Sequence, residues 1–339
     1  MKLYTLTIKP LSGFGTALKG DSIFGQFCWQ AAYDSALLDG GLEPWVEKYP
    51  QQPFAIFSSA YPTLPGETPK FALKRPDLPL SLLFPGTPGK NKREGALQRK
   101  ENMNKRWMLV SEHGEIALHS VEFVNSEELI TRIIQHDSAH TCGIETNHFA
   151  RSLIQSHNTI NRLTSTTGKG MFAPFAEMNT FYHPDVTLTI FVLLDPEATD
   201  IVRICRAFTT MGRWGFGKNA STGCGRFQLV GHHELSLPSP KAACACYTLA
   251  PAVPEKGTFK DLFFTPFVRF GKHGDVLVRS RNPFKSPVVM ADEGAVFIPK
   301  SRNIFEKPYI GRAIGGISKS MPQTIAQGYT GYLPIDMES

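Results

Sequence analysis

The chain opens Met1-Lys2-Leu3-Tyr4-Thr5-Leu6-Thr7-Ile8-Lys9-Pro10, then Leu11-Ser12-Gly13-Phe14-Gly15-Thr16-Ala17-Leu18-Lys19-Gly20-Asp21-Ser22-Ile23-Phe24-Gly25-Gln26-Phe27-Cys28-Trp29. Tyr4, Leu6 and Ile8 alternate with Leu3, Thr5, Thr7 and Lys9. That is the period of a strand with one buried face and one mostly polar face. The glycine-punctuated turn Ser12–Gly15 leads to Lys19-Gly20-Asp21-Ser22, where Asp21 or Ser22 is placed to cap a helix. Ile23, Phe24, Phe27, Cys28, Ala31 and Ala32 then form an apolar stripe, which predicts a helix to about Leu38.

Working outward, Pro53 to Tyr61 reads as a second strand. Much later Val186, Leu188, Ile190, Val192 and Leu194 give the clearest period of two in the chain. Pro196 opens a second helix at a position helices accept, with Ile201, Ile204, Cys205 and Phe208 at helical spacing. Arg226 to Gly231 closes as a strand. Strand, helix, strand, a long insertion, then strand, helix, strand is the order of a βαββαβ ferredoxin-like (RRM-like) unit of the α+β class. Residues 1–232 fit one such unit, with an insertion at about 62–183. Within the insertion, Ile116 to Val124 is strand-like, and Ser126-Glu127-Glu128 opens a short helix with its acids in the first turn. Leu235 to Pro240 reads as a linker. Residues 245–336 hold short strand candidates, among them Phe267–Phe270 and Ala295–Pro299, and fit a second, degenerate unit.

The composition bounds the function. The chain has 339 residues, of which 42% are hydrophobic and 19% charged, enough for a full core and too apolar for wholesale disorder. No uncharged apolar run reaches the roughly 18 residues of a membrane span. The first ten residues lack the apolar core of a signal peptide. Cys28, Cys142, Cys205, Cys224, Cys244 and Cys246 are scattered, so reduced thiols and a cytoplasmic location are expected. The net charge of +6 permits a polyanionic partner without demanding one. Lys90, Lys92, Arg93, Arg99, Lys100, Lys105 and Arg106 form a basic run, opposed only by Glu94 and Glu101. It reads either as a solvated loop or as an arm on a nucleic-acid backbone.

Two segments carry the chemistry. The first is Gly212-Arg213-Trp214-Gly215-Phe216-Gly217-Lys218-Asn219-Ala220-Ser221-Thr222-Gly223-Cys224-Gly225-Arg226-Phe227. Glycines let backbone N–H groups approach a phosphate, and Arg213, Lys218 and Arg226 add charge. It is neither a P-loop nor a dinucleotide fingerprint, because it lies between a helix and the following strand. The bland reading is a flexible connector. The second is His157-Asn158-Thr159-Ile160-Asn161-Arg162-Leu163-Thr164-Ser165-Thr166-Thr167-Gly168-Lys169-Gly170-Met171-Phe172. Its hydroxyls, amides and cations suit sugar and phosphate. Met171 and Phe172 are available to wedge or stack on bases. The bland reading is a polar hairpin tip.

Other chemistries find little support. His136, His140, Cys142 and His148, and Cys244-x-Cys246 after His232-His233, miss the paired spacing of a zinc site. No nucleophile elbow is present. His157 as a general base on a 2′-hydroxyl, and Asp21 in metal-dependent cleavage, are the remaining ribonuclease options. An RNA-contacting imidazole and a helix N-cap are the simpler readings of those two residues.

The opening from Lys2 to Trp29, His157–Phe172 and Gly212–Phe227 resemble one RAMP family, the fourth subunit of the type III-A CRISPR (Csm) effector complex, in the Cas-five-like group. The resemblance runs in order through residues 1–232. It is looser in the last third, at Gly311–Gly316 and Gln327-Gly328-Tyr329. It implies tandem ferredoxin-like RAMP modules and a protruding thumb hairpin at about 140–182 that kinks the guide–target duplex. It also implies a non-catalytic, cofactor-free subunit that holds the repeat-derived 5′ tag of crRNA. Such a subunit caps one end of the complex, joining the large polymerase–cyclase subunit to the backbone RAMP subunits. By resemblance, tag and guide contacts fall on Lys19, Gly20, Ser22, Asn158, Asn161, Arg162 and the 212–226 loop. The neighbouring His157, Thr164, Thr167, Lys169, Met171 and Phe172 complete the expected RNA surface. In the loop, that surface takes in Gly212, Arg213, Gly215, Gly217, Lys218, Ser221, Thr222, Gly223, Gly225 and Arg226. A repeat-processing RAMP endoribonuclease and the equivalent subunit of a type III-B complex are the alternatives. Processing enzymes carry a histidine in the first helix, and residues 20–38 contain none.

Overall fold

The computed structural model describes residues 1–66, 68–85, 92–111, 116–136, 148–238 and 243–337. β1 (Lys2–Pro10) is followed by α1 (Gly20–Tyr33), α2 (Leu42–Lys48) and β2 (Ala55–Leu64). The insertion supplies β3 (Lys70–Lys74), α3 (Leu80–Leu83), α4 (Lys92–Asn104), β4 (Trp107–Ser111), β5 (Ile116–Ala117), β6 (Glu122–Val124) and α5 (Ser126–His136). It ends in a two-stranded hairpin, β7 (Ala150–His157) and β8 (Phe175–Tyr182). Then come β9 (Leu188–Leu194), α6 (Ile201–Trp214) and β10 (Phe227–Leu235). The last part holds β11 (Ala245–Thr248), β12 (Phe259–Phe263), β13 (Pro266–Arg269), β14 (Val288–Ala291), β15 (Val296–Pro299), β16 (Tyr309–Gly311) and β17 (Tyr329–Asp336).

The first sheet runs β10-β1-β9-β2-β3-β4-β6. Its first four strands, antiparallel throughout, have the order of a βαββαβ unit, with β1 held between β9 and β10. The insertion extends this sheet by three strands. The second sheet runs β12-β15-β11-β17-β16, and its first four strands repeat the same relation of chain order to sheet order. Where the first sheet carries α1 and α6, the described part of the second carries only short 3-10 turns. β5 leaves the insertion to pair in parallel with β17 of the second sheet.

The helices pack on one face of the first sheet through Phe27, Phe57, Phe208 and Phe227. The second sheet packs on the other face. Gly331 of β17 lies against Leu193 of β9, and the Tyr61 hydroxyl donates to the Leu249 carbonyl at 2.9 Å. This corrects the one-sided reading of two strands. Every residue of β9 is buried. In β1 the face expected to be polar buries Leu3 and Thr5 as well, leaving Thr7 and Lys9 half-buried. Burying both faces of the central strands removes far more apolar surface from water than a single covered face would.

Helix limits shift for local reasons. α1 ends at Tyr33, not Leu38, because Asp34 is extended and its carboxylate accepts from the Ala36 N–H to start a new 3-10 turn. Neither Asp21 nor Ser22 caps it; the N-cap position is Lys19. α6 starts at Ile201 rather than Pro196, capped by the Asp200 carboxylate on the Arg203 N–H. α5 is capped by Asn125, whose side chain accepts from Glu127 and Glu128 N–H while Glu128 reaches back to the Asn125 N–H. That reciprocal pairing is a capping box. Ile116 to Val124 splits into β5 and β6 around a turn. The basic run, read as a loop or arm, is largely the exposed helix α4, whose last carbonyls accept from the Arg75 guanidinium. Among the described residues, no helix is long and apolar enough to cross a membrane.

Candidate nucleic-acid interface

Three segments meet at one end of the first sheet: the β1–α1 loop, the glycine-rich loop after α6, and the β7–β8 hairpin. The β1–α1 loop holds the other two together. Phe14 pairs with Thr180 of β8 through N–H···O bonds of 2.9 and 3.0 Å. On the other side the Gly225 N–H donates to the Gly13 carbonyl at 2.8 Å, and Lys218 N–H to the Thr16 hydroxyl at 2.9 Å.

The glycines of this loop work differently from the expected phosphate cradle. N–H groups of Gly215, Phe216, Gly223, Cys224 and Gly225 are spent on carbonyls of the fold. Gly225 has φ +72°, and a Cβ there would stand 2.2 Å from the Phe216 carbonyl oxygen. Gly212, inside α6, would meet the Phe227 carbonyl at the same distance. Such positions admit only glycine. Their job is to fold the loop tightly, which turns side chains outward: Arg213, Lys218, Ser221, Thr222 and Arg226 are all exposed. Gly215 is buried, Gly217 is exposed against Thr16, and Gly223 faces open space.

The described part of the expected thumb is the hairpin, with its tip at 158–174; residues 140–147 lie outside the described set. The tip is ordered by its own polar groups. Asn161 pairs with Thr166, its side chain accepts from the Leu163 N–H at 2.9 Å, and the Thr164 and Thr166 hydroxyls are 2.9 Å apart. Asn158, Arg162, Thr167 and Lys169 are exposed. Phe172 is half-buried, whereas Met171 is 81% exposed and Leu163 96%. Leu163 is thus the most exposed apolar side chain at the tip, a position its polar sequence context did not single out.

A carboxylate missed in the sequence ties hairpin to loop. Glu177 of β8 lies 3.1 Å from Lys218 Nζ, accepts from the Asn219 amide, and stands 3.8 Å from His157 Nε2. His157 stacks on Phe175 at 5.2 Å between ring centroids. His157 therefore sits in the hairpin's own packing, with its Nε2 buried.

Lys19, Gly20 and Asp21 are corrected most. Lys19 Nζ is held by Asp292 and by Glu293 at 2.6 and 2.7 Å, and lies 4.7 Å above the Phe267 ring. Gly20 is buried, and a Cβ there would stand 2.2 Å from the Phe57 carbonyl oxygen and 2.7 Å from Ala250. Asp21 takes a two-bond grip from the Arg269 guanidinium, one of them 2.9 Å long, and Arg269 in turn lies 4.8 Å from Phe267. The segment expected to touch RNA, cap a helix or assist a metal is a clasp on β13–β14, a two-stranded sheet of its own, and on Asp292 and Glu293 just after it. Ser22 is half-buried in the first turn of α1. Gln327 completes the clasp: its amide donates to the Phe57 carbonyl at 2.7 Å and accepts from the Phe57 N–H at 2.9 Å. Among the described residues, no group of three His, Cys, Asp or Glu side chains is placed to hold a metal.

No protein-family model and no curated protein matches the chain by sequence. Solved structures do match in fold. A chain of the Csm3–Csm4 subcomplex in the type III-A CRISPR-Cas interference complex superposes with a TM-score of 0.57 at 13% identity, covering 98% of this chain and 99% of that one. Chains of the Csm1–Csm4 cassette match with TM-scores of 0.56 (15% identity, all of both chains, with cA4) and 0.55 (16% identity, 98% of both chains, with pppApA). The protein common to these structures is Csm4, and this chain shares the α+β fold of the matching chains over its full length.

Proposed function

We propose that the chain is the crRNA-binding, end-capping subunit of a type III-A CRISPR-Cas effector complex. It would hold the 5′ tag and bridge a large polymerase–cyclase subunit to backbone RAMP subunits. The observation that carries this reading is the full-length likeness to Csm4. The site supports it: the hairpin that carries the exposed Arg162, Leu163, Lys169 and Met171 at its tip is tied through Glu177 to a tightly folded loop that turns Arg213, Lys218 and Arg226 outward. Cations and hydroxyls position a phosphate chain, and apolar tips unstack or bend it. The repeated strand order supports two ferredoxin-like units, the second without α-helices among the described residues. The subunit is read as a binder and not a nuclease, because His157, the general-base candidate, stacks on Phe175 with its Nε2 buried.

The test is to recover the tagged protein from its native cells, sequence the attached RNA and identify the attached proteins. Guide RNAs with one uniform 5′ tag, together with a large polymerase–cyclase subunit, are expected. RNA without a common 5′ end rejects tag recognition. Cutting of repeat RNA that is lost in His157→Ala favours the processing nuclease instead.

A further inference from the structure

The basic run takes no part in the site described above. Most of it forms α4, and its sequence repeats: Lys92-Arg93-Glu94 is followed seven residues on by Arg99-Lys100-Glu101. Seven residues are two helical turns less about 20°, so residues seven apart share a side. Arg93, Arg99 and Lys100 fall within an arc of about 120°, and Glu94 and Glu101 lie about 150° from its centre. No cation of α4 has an aspartate or glutamate three or four residues away, the spacing at which a surface helix makes its own ion pairs. The charges are sorted to opposite sides instead of interleaved.

The fold gives this helix no core to cover. From Arg93 to Asn104 every residue is exposed except the half-buried Gly95 and Asn102. A helix that is polar all round gains little from burial. It is held at its C-terminal end, where the Arg75 guanidinium donates to the carbonyls of Asn102, Met103 and Lys105. The chain then enters β4 at Trp107, whose ring meets Phe149 edge-on at 4.9 Å, one residue before the β7–β8 hairpin begins. Helix and hairpin are therefore rooted at one place. The middle of the cationic side holds only Ala96 and Met103, and α4 carries no aromatic ring. That is too little apolar surface for the desolvated centre of a protein interface. A row of exposed cations along one side of a helix is instead the footprint of a phosphate backbone. The shared root with the hairpin makes RNA the strand that passes there.

We propose that the cationic side of α4 is a second RNA contact, which holds the phosphate backbone of the strand beyond the part at the hairpin and the glycine-rich loop, without regard to base. The proposal rests on the RNA-binding function argued above. The test measures the affinity of the full chain for tagged RNA and for scrambled RNA of the same length across a salt series. Wild type is compared with Arg93→Gln/Arg99→Gln/Lys100→Gln. Three lost phosphate contacts, at about 0.7 each for a single strand, should flatten the slope of log affinity against log salt by about two. Affinity should fall at least tenfold, by the same factor for both RNAs. Glu94→Gln/Glu101→Gln, on the opposite side, should weaken neither. Far-UV circular dichroism and a melting temperature equal to wild type show that α4 is formed in the variants, as expected for exposed positions. An unchanged slope overturns the proposal and leaves an acidic protein as the occupant. A loss confined to tagged RNA also overturns it, because a backbone contact does not read bases. A wild-type chain that binds neither RNA rejects the underlying function, and the proposal with it.

Discussion

Lys19 and Lys218 stand next to glycine residues, and both meet carboxylates, yet only one is closed off. Lys19 is 16% exposed, faces both Asp292 and Glu293, and is covered by the Phe267 ring. Lys218 is 57% exposed and faces Glu177 alone, at 3.1 Å. Solvent on the lysine side screens this pair, which contributes ~1 kcal/mol, and Glu177, itself 17% exposed, keeps the Asn219 amide when a phosphate takes Lys218. Surrendering a cation shared by two desolvated carboxylates strips Glu293 of its ion pair and leaves Asp292 with Lys74 at 3.6 Å. The same residue type is therefore structural at one end of α1 and available for a ligand at the end of α6.

The contrast breaks most sharply at Gly20. Gly20→Val drives a side chain into the Phe57 carbonyl and Ala250, where α1 meets the second sheet. The expected cost is at least ~3 kcal/mol, from overpacking against backbone that cannot yield. Urea denaturation measures it, and a midpoint equal to wild type would mean that the two sheets are not clasped here. Asp21→Ala comes next. It strips Arg269 of its partner, and with Arg269 25% exposed the loss is expected at ~2–3 kcal/mol, below the ~3–5 of a fully buried pair. Lys218→Ala is the matched control. Its stability should move by less than ~1 kcal/mol while its RNA affinity falls.

Arg162→Ala sharpens the other side of the comparison. The residue lies on the exposed tip, so folding should be unchanged. Affinity for tagged RNA should fall about tenfold, and the slope of log affinity against log salt should flatten by about one. An unchanged slope would place phosphate elsewhere. Gly223→Ala is expected to do less. It has open space but φ +93°, so it costs ~1–2 kcal/mol of local strain without a clash, whereas Gly225→Val collides with Phe216 and should unseat the loop. Equal effects of the two on RNA binding would show that loop shape is not what presents the cations.

Much of this was legible in the chain because it is local. Alternation in β1 and β9, the stripe of α6 and the glycine spacing each lie within one segment, and they order the first four strands. The tip residues Asn158 to Met171 could be read as an exposed polar segment for the same reason. What stayed hidden depends on partners far away in sequence. Lys19 looks like a phosphate ligand until Asp292 and Glu293, more than 270 residues on, are placed beside it. Burial of Leu3 and Thr5 required knowing that a second sheet covers that face. Nothing near Glu177 in the sequence pointed to Lys218 or Asn219. The absence of α-helices from the described residues after β10 was signalled only by the short strand candidates there.

The smallest expected effect comes from the loop inside the β13–β14 ribbon. His273 is buried, its Nε2 lies 2.6 Å from the Ser318 hydroxyl, and its backbone N–H donates to the Pro283 carbonyl. Desolvation, with Lys285 nearby, holds the imidazole below its ordinary 6.5. The folded state therefore keeps His273 neutral over a range in which the unfolded chain takes up a proton. The sign follows: the stability it contributes is fully present above pH ~6.5 and is lost as pH falls from there towards the lower folded value. His273→Gln retains a partner for Ser318 and removes the titration. The stability of wild type should drop more steeply than that of the variant as pH is lowered from about 7 to about 5. Parallel curves from denaturant melts across that range would mean that the loop opens to water and that the ribbon is less rigid than its contacts with Asp21 and Lys19 imply.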